Sequence, residues 1–159
     1  MEYVTGQKPA GCVFCHKLTA DDDGPNHVLY RAQHNAILLN TYPYNSGHLM
    51  VVPYAHVASL VELPQEARAE MMELTAIATR ALEKAFHCDG LNVGMNIGEA
   101  AGAGISEHVH LHIVPRWKGD TNFMSTLAGT RIVPQSLDDS FDLLVPAIHD
   151  ALEEDAAKS

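Results

Sequence analysis

The segment His108-Val109-His110-Leu111-His112-Ile113-Val114-Pro115 constrains this chain more than any other stretch. Histidine alternates with aliphatic residues at the period of a β-strand, in which successive side chains point to opposite faces. Val109, Leu111 and Ile113 therefore read as a core face. His108, His110 and His112 then form a row of imidazoles on the other face, with Cα atoms about 6–7 Å apart. Three kinds of arrangement suit such a row. The three rings can bind one zinc ion and leave a fourth position for water. One neutral ring can act as a nucleophile toward phosphorus while a neighbour orients it or protonates the leaving group. Or the row is hydrogen-bonded and carries no chemistry.

The chain around this segment has 159 residues, enough for one domain with a real core, and 1–159 is read as a single unit. No apolar run approaches the ~20 residues of a membrane helix, and Met1–Ala10 lacks the layout of a signal peptide, so a cytoplasmic location is the expectation. A formal charge of −10 argues against nucleic acid as a partner, because a phosphate backbone needs a basic face. It leaves room for a small anionic ligand held by a local cluster of donors.

Short apolar runs at Val28–Tyr30, Ala36–Leu39 and His48–Val52 read as strands, with a turn-rich connection from Asn40 to Gly47. Thr19–Asn26 is acidic, contains Gly and Pro, and reads as a loop. Ala67, Met71, Leu74, Ala78, Ala81 and Ala85 recur three or four apart, which predicts an amphipathic helix opening at Pro64 and ending near His87. Leu91–Ile97 and His108–Val114 read as further strands, separated by the small-residue loop Gly98–Gly104, and Pro115 is expected to end the last one. Leu137, Phe141, Leu144, Ile148 and Leu152 fit one helical face, in which Pro146 predicts a kink or break. The ends, 1–10 and 153–159, are expected to be flexible tails. Strands in succession with one long helix among them and a second at the end predict an α+β domain with an antiparallel sheet.

Three cysteines cannot complete a disulfide framework, so Cys12-x-x-Cys15 reads as metal or redox chemistry. Cys88 reads as a core thiol, and His27, His34, His87 and His149 as surface or capping residues.

At this point the residues resemble a family. The run His108-x-His110-x-His112 resembles the signature of the histidine triad (HIT) nucleotide hydrolases and transferases. Asn40 to Pro53, with its Gly47-His48 and following apolar run, resembles the family's strand and turn, and Asn96-Ile97-Gly98 resembles its Asn/Gln-x-Gly. Pro115 to Phe123 is similar to the branch of diadenosine tetraphosphate phosphorylases and fragile-histidine-triad hydrolases. The resemblance spans Cys12 to Phe123. It implies a HIT-like fold, a homodimer joined through the long helix and a sheet edge, and cleavage of dinucleoside polyphosphates by phosphorolysis or hydrolysis. His110 is then the nucleophile that forms a nucleotidyl-histidine. His112 contacts the phosphate or leaving group, and His48 stands beside them. Leu38 lies against the base, Asn40 bonds the ribose hydroxyls and Asn96 touches the phosphates. Gly102, Gly104, Ile105 and Ser106 belong to a loop whose backbone N–H groups meet phosphate oxygens. The family commonly carries Ser or Thr three or four residues before the first triad histidine; here those positions are Ile105 and Gly104.

The resemblance also implies a structural zinc ion on Cys12, Cys15, His56 and His108, with His16 a weaker substitute. Mg²⁺ enters only as a companion of the substrate's polyphosphate. Arg116, Lys118 and Arg131 are candidates for screening distal phosphate charge, and Trp117 for stacking on a second base. The same family offers a second reading, a nucleoside phosphoramidase or adenylyl-conjugate hydrolase, against which Val114-Pro115-Arg116-Trp117 counts. A mononuclear zinc hydrolase on the three histidines and a nucleotide-binding module without turnover complete the alternatives.

Overall fold

The computed structural model describes residues 11–120 and 135–158; Met1–Ala10, Thr121–Phe123 and Arg131 lie outside them. The chain opens with two short helices, α1 (Val13–Thr19) and α2 (Asp23–Asn26). Strands β1 (Val28–Arg31), β2 (Asn35–Leu39) and β3 (Leu49–Pro53) follow, then the long helix α3 (Gln65–Phe86). Next come β4 (Gly90–Gly94), β5 (Leu111–Arg116) and the last helix, α4 (Leu137–Ala156). The strands form one antiparallel sheet in the order β1-β2-β3-β5-β4. This is the expected α+β architecture. No helix among the described residues is long and apolar enough to cross a membrane.

Strand alternation sorts the sheet into two faces. Ile37, Leu39, Leu49, Val51, Leu111 and Ile113 point one way, into a core closed by Met71, Leu74, Ala78 and Leu82 of α3 and by Leu144 and Ile148 of α4. Truncating a large aliphatic in such a layer costs about 2–5 kcal/mol. The other face carries a smaller cluster, in which Phe14 and Leu18 of α1 cover Ala36, Leu38, Met50 and Val52. The ladder aligns Leu38 with Met50 and Met50 with His112. The last residue of the histidine row therefore lies on the α1 face of the sheet, clear of the large helices.

Several boundaries differ from expectation for identifiable reasons. Pro115 does not end the strand; it pairs with Leu91, and β5 continues to Arg116. The partnership of β5 with β3 stops at Ile113, so the missing Pro115 N–H would face no strand, and its carbonyl accepts from Asn45 Nδ2 at 2.9 Å. Pro146 lies inside an unbroken helix. Its residue i−4 is exposed Asp142, where water can take the place of the lost N–H. The same helix runs through Glu153 to Ala156, ground expected as tail. Part of the stretch read as loop, Asp23–Asn26, makes a helical turn that His27 closes in the left-handed region at φ 53°. Helix α1 had no counterpart in the sequence reading, although Phe14 and Leu18 are spaced as i and i+4.

Candidate active site and metal centre

Two groups of side chains meet along the segment that leads into β5. The first is Cys12, Cys15, His56 and His108, whose ligand atoms all lie within 4.8 Å of one another. Cys12 caps α1 and Cys15 lies one turn on, so the helix brings both thiols to one spot. Cys12 Sγ is 3.2 Å from His108 Nδ1, and Cys15 Sγ is 3.3 Å from His56 Nδ1 and 3.6 Å from His108 Nδ1. The two Nδ1 atoms are 3.3 Å apart. A tetrahedral zinc ion, with Zn–S about 2.3 Å and Zn–N about 2.0–2.1 Å, sets neighbouring S and N about 3.5 Å apart and two nitrogens about 3.3 Å apart. His108 Nε2 donates to the Pro53 carbonyl at 2.8 Å, which leaves the Nδ1 lone pair facing the thiols, the tautomer a ligand needs. The donor set and its spacing fit a closed two-thiolate, two-imidazole centre.

The second group is His110, His112 and His48. His110 Nδ1 donates to the carbonyl of His108 at 2.8 Å. The hydrogen of the neutral ring is thereby on Nδ1, and Nε2 keeps its lone pair. The His110 and His112 rings lie 4.7 Å apart between centroids, and His48 and His112 lie 5.1 Å apart. A second chain of bonds fixes the other two tautomers. The backbone N–H of Tyr44 donates to His48 Nδ1 at 3.1 Å, so neutral His48 carries its hydrogen on Nε2. That hydrogen is directed at His112 Nδ1, 3.0 Å away. His112 in turn holds its hydrogen on Nε2. The site thus sets a ring with a free lone pair beside a ring with a free N–H.

Burial keeps these rings neutral. His48 is pushed down to about 3 by burial and then by His112 and His110. His112 is pushed down to about 4 by burial and then by His110. Burial also lowers His110, against the opposing pull of its bond to the His108 carbonyl.

The remaining expected site residues are distributed around this pair. Leu38 is fully buried in the α1-face cluster. The Asn40 side-chain oxygen accepts from the Tyr42 N–H at 3.0 Å, and its amide nitrogen lies 3.4 Å from His48. Asn96 donates to the Gly102 carbonyl at 3.4 Å and so braces the Gly98–Gly104 loop. Gly102 takes the left-handed φ of +86°, and Gly104 is exposed. Ile105 packs against the α1-face cluster, and Ser106 is half-buried. His16 is exposed, outside the thiol–imidazole group.

Two residues that the sequence reading missed stand close to the histidines. Phe14, between the two cysteines, packs 4.7 Å from the His110 ring and 5.4 Å from the His108 ring. Its signal was the i, i+4 apolar pair on α1. Tyr44 packs 4.8 Å from the His48 ring, and no periodicity could have found it in a turn.

Gly47 positions His48. Its φ is +74°, and a Cβ there would lie 3.0 Å from Phe86 Cε2 and 3.1 Å from Leu82 Cδ2. Gly47→Ala is expected to lower stability by about 1–3 kcal/mol through left-handed strain and crowding. Denaturant unfolding checks this, and an unchanged midpoint would contradict it.

Comparison with known proteins agrees with this geometry. The HIT domain family model matches residues 22–119. A Mycobacterium tuberculosis protein named AP-4-A phosphorylase is 43% identical over 125 residues, which cover 79% of this chain; the chain spans only 63% of that protein's length. The adenylylsulfatase HINT3 of Arabidopsis thaliana is 34% identical over 69% of this chain and 54% of its own. A Zn-bound histidine triad family protein from Mycobacterium smegmatis superposes with a TM-score of 0.73 at 30% identity, covering 90% of this chain and 96% of that one. On the histidine row, the fold that presents it and these matches, the chain belongs to the HIT domain family.

Proposed function

We propose that this protein is an enzyme that cleaves dinucleoside polyphosphates, diadenosine tetraphosphate foremost, by nucleotidyl transfer through His110. The observation that carries the reading is the pair of opposed tautomers. His110 has a free Nε2 lone pair because its Nδ1–H is tied to the His108 carbonyl, and its neighbour His112 has a free Nε2–H. In the first step, His110 Nε2 forms a bond to the α-phosphorus. The bond from phosphorus to the bridging oxygen breaks, and that oxygen leaves with the electron pair as part of a polyphosphate anion, accepting a hydrogen bond from the His112 Nε2–H. In the second step, water or phosphate displaces the nucleotide from His110 and restores the ring. Asn96 and the backbone N–H groups of Gly102–Ser106 stabilise charge on the nonbridging oxygens; Asn40 serves the ribose, and Leu38, buried beneath Phe14 and Leu18, would reach the base only if that cover shifts.

The zinc ion belongs on Cys12, Cys15, His56 and His108, where it supplies a structural tie between α1 and the catalytic segment. His108 faces the thiols, which argues against three triad histidines gripping one catalytic ion. A homodimer fits the open edge of the sheet at β4, where Val93 is exposed and Ile97 follows just beyond the strand, also exposed. The adenylyl-conjugate hydrolase reading is favoured by one finding, the relative named adenylylsulfatase.

Incubation with diadenosine tetraphosphate, with and without phosphate, tests the proposal. ADP plus ATP identifies phosphorolysis and AMP plus ATP identifies hydrolysis. No cleavage of the dinucleotide, with turnover of an adenylyl phosphoramidate or sulfate, favours the second reading. The pH dependence follows from the lowered imidazoles. Protonation of His110 removes its lone pair, so kcat/KM is expected to stay level through neutrality and fall on the acid side, below the ordinary imidazole value of about 6.5. An acid limb centred at or above that value would contradict the buried, neutral site.

A further inference from the structure

Beside His112, on the side away from Phe14, lies a cleft of about 510 Å³. Its floor is the α1 face of β4 and β5, where the register sets Gly94 opposite His112 and Asn92 opposite Val114. Gly94 contributes no side chain, and a Cβ there would meet nothing within 4 Å, so the floor is open next to His112. Arg116 and Asp120 close one end. Arg116 Nε and Nη2 grip the two carboxylate oxygens of Asp120 at 2.6 and 2.7 Å, and Nη1 donates to Asn92 Oδ1 at 2.9 Å. Tyr44 forms the wall nearest the chemistry. One face of its ring packs on His48 at a 36° tilt, yet the residue is 63% exposed.

The charge of this cleft selects its occupant. Among the described residues the guanidinium lining it, Arg116, is matched by a carboxylate held in a two-point bond, so a phosphate there would meet Asp120 as well as Arg116. Apart from Asn96 and His112, which the proposed reaction assigns to the phosphates, the rest of the described lining is neutral: the amides of Asn45 and Asn92, the apolar side chains of Val93, Met95 and Val114, and the outer face of an aromatic ring. A flat, uncharged group that stacks and hydrogen-bonds suits such walls, and a polyanion does not.

Resting on the proposed reaction, we infer that this cleft seats the leaving nucleoside of the dinucleotide, with its base stacked on the outer face of Tyr44. The polyphosphate crosses His112, and the transferred nucleotide stays on the His110 side. Tyr44 is then a specificity-determining residue that separates dinucleoside substrates from mononucleoside polyphosphates of equal phosphate number.

The test compares diadenosine tetraphosphate with adenosine 5′-tetraphosphate. In wild-type protein kcat/KM favours the dinucleotide. In Tyr44→Leu, which keeps the backbone N–H that serves His48, the ratio of the two values falls roughly ten-fold, the loss of one base–aromatic stack. Tyr44→Phe restores the ratio. A ratio unchanged in Tyr44→Leu, or equal losses on both compounds, overturns the subsite, since the ring would then only support His48. Calorimetry in a His110→Ala background reads the same difference without turnover. If wild-type protein cleaves neither compound but the Tyr44-dependent difference in binding persists, the subsite stands and the enzymatic reading fails. If His110→Ala binds both equally, the subsite fails whatever the activity.

Discussion

His110→Ala abolishes turnover of diadenosine tetraphosphate, by roughly four orders of magnitude or more, while nucleotide binding survives. The magnitude follows from the role: a nucleophile acts in both steps, and loss of one member of a unit that works together costs about as much as loss of the whole. Binding survives because the base, ribose and phosphate contacts are assigned to other residues, and His110 contributes one ring to the wall. Steady-state kinetics and calorimetry on the same preparation separate the two effects. Wild-type protein quenched in mid-turnover yields an acid-labile nucleotidyl adduct, which the variant lacks. Turnover that persists in His110→Ala removes the nucleophile assignment and with it the opposed-tautomer mechanism.

The second large effect concerns the thiol–imidazole centre. Cys12→Ser combined with Cys15→Ser is expected to lose bound zinc and at least ~3 kcal/mol of stability, which for a chain of this size lowers Tm by roughly 6–12 °C. Helix α1 is short and is held by its contacts. Loss of the tie loosens Phe14, which packs on His110, and His108, whose carbonyl holds the Nδ1–H of His110. Activity is therefore expected to fall with the metal although the metal takes no part in a step. Metal analysis, scanning calorimetry and turnover report the three quantities separately. A protein that purifies without zinc and loses no stability in the double variant would refute the centre.

The parts of this molecule that could be read in advance are those with a period. Ala67 to Ala85 repeats at helical spacing, and α3 lies within one or two residues of its expected ends. Val109, Leu111 and Ile113 repeat at strand spacing and enter the main core as expected. Helix α1 was missed because about two turns carry too few repeats to register, and Pro146 misled because its cost depends on whether the orphaned carbonyl meets solvent. His56 and His108 lie 41 and 93 residues along the chain from Cys15, so only resemblance could join them to the thiols.

By itself the sequence determined the sheet, the helix that covers it and the one face on which three imidazoles gather, because side-chain alternation is a local property of the backbone. The division of labour among those imidazoles was decided only in three dimensions. His108 turns to the cysteines, His110 to a backbone carbonyl and His112 to His48, because tautomer and orientation are set by partners that the chain brings in from elsewhere.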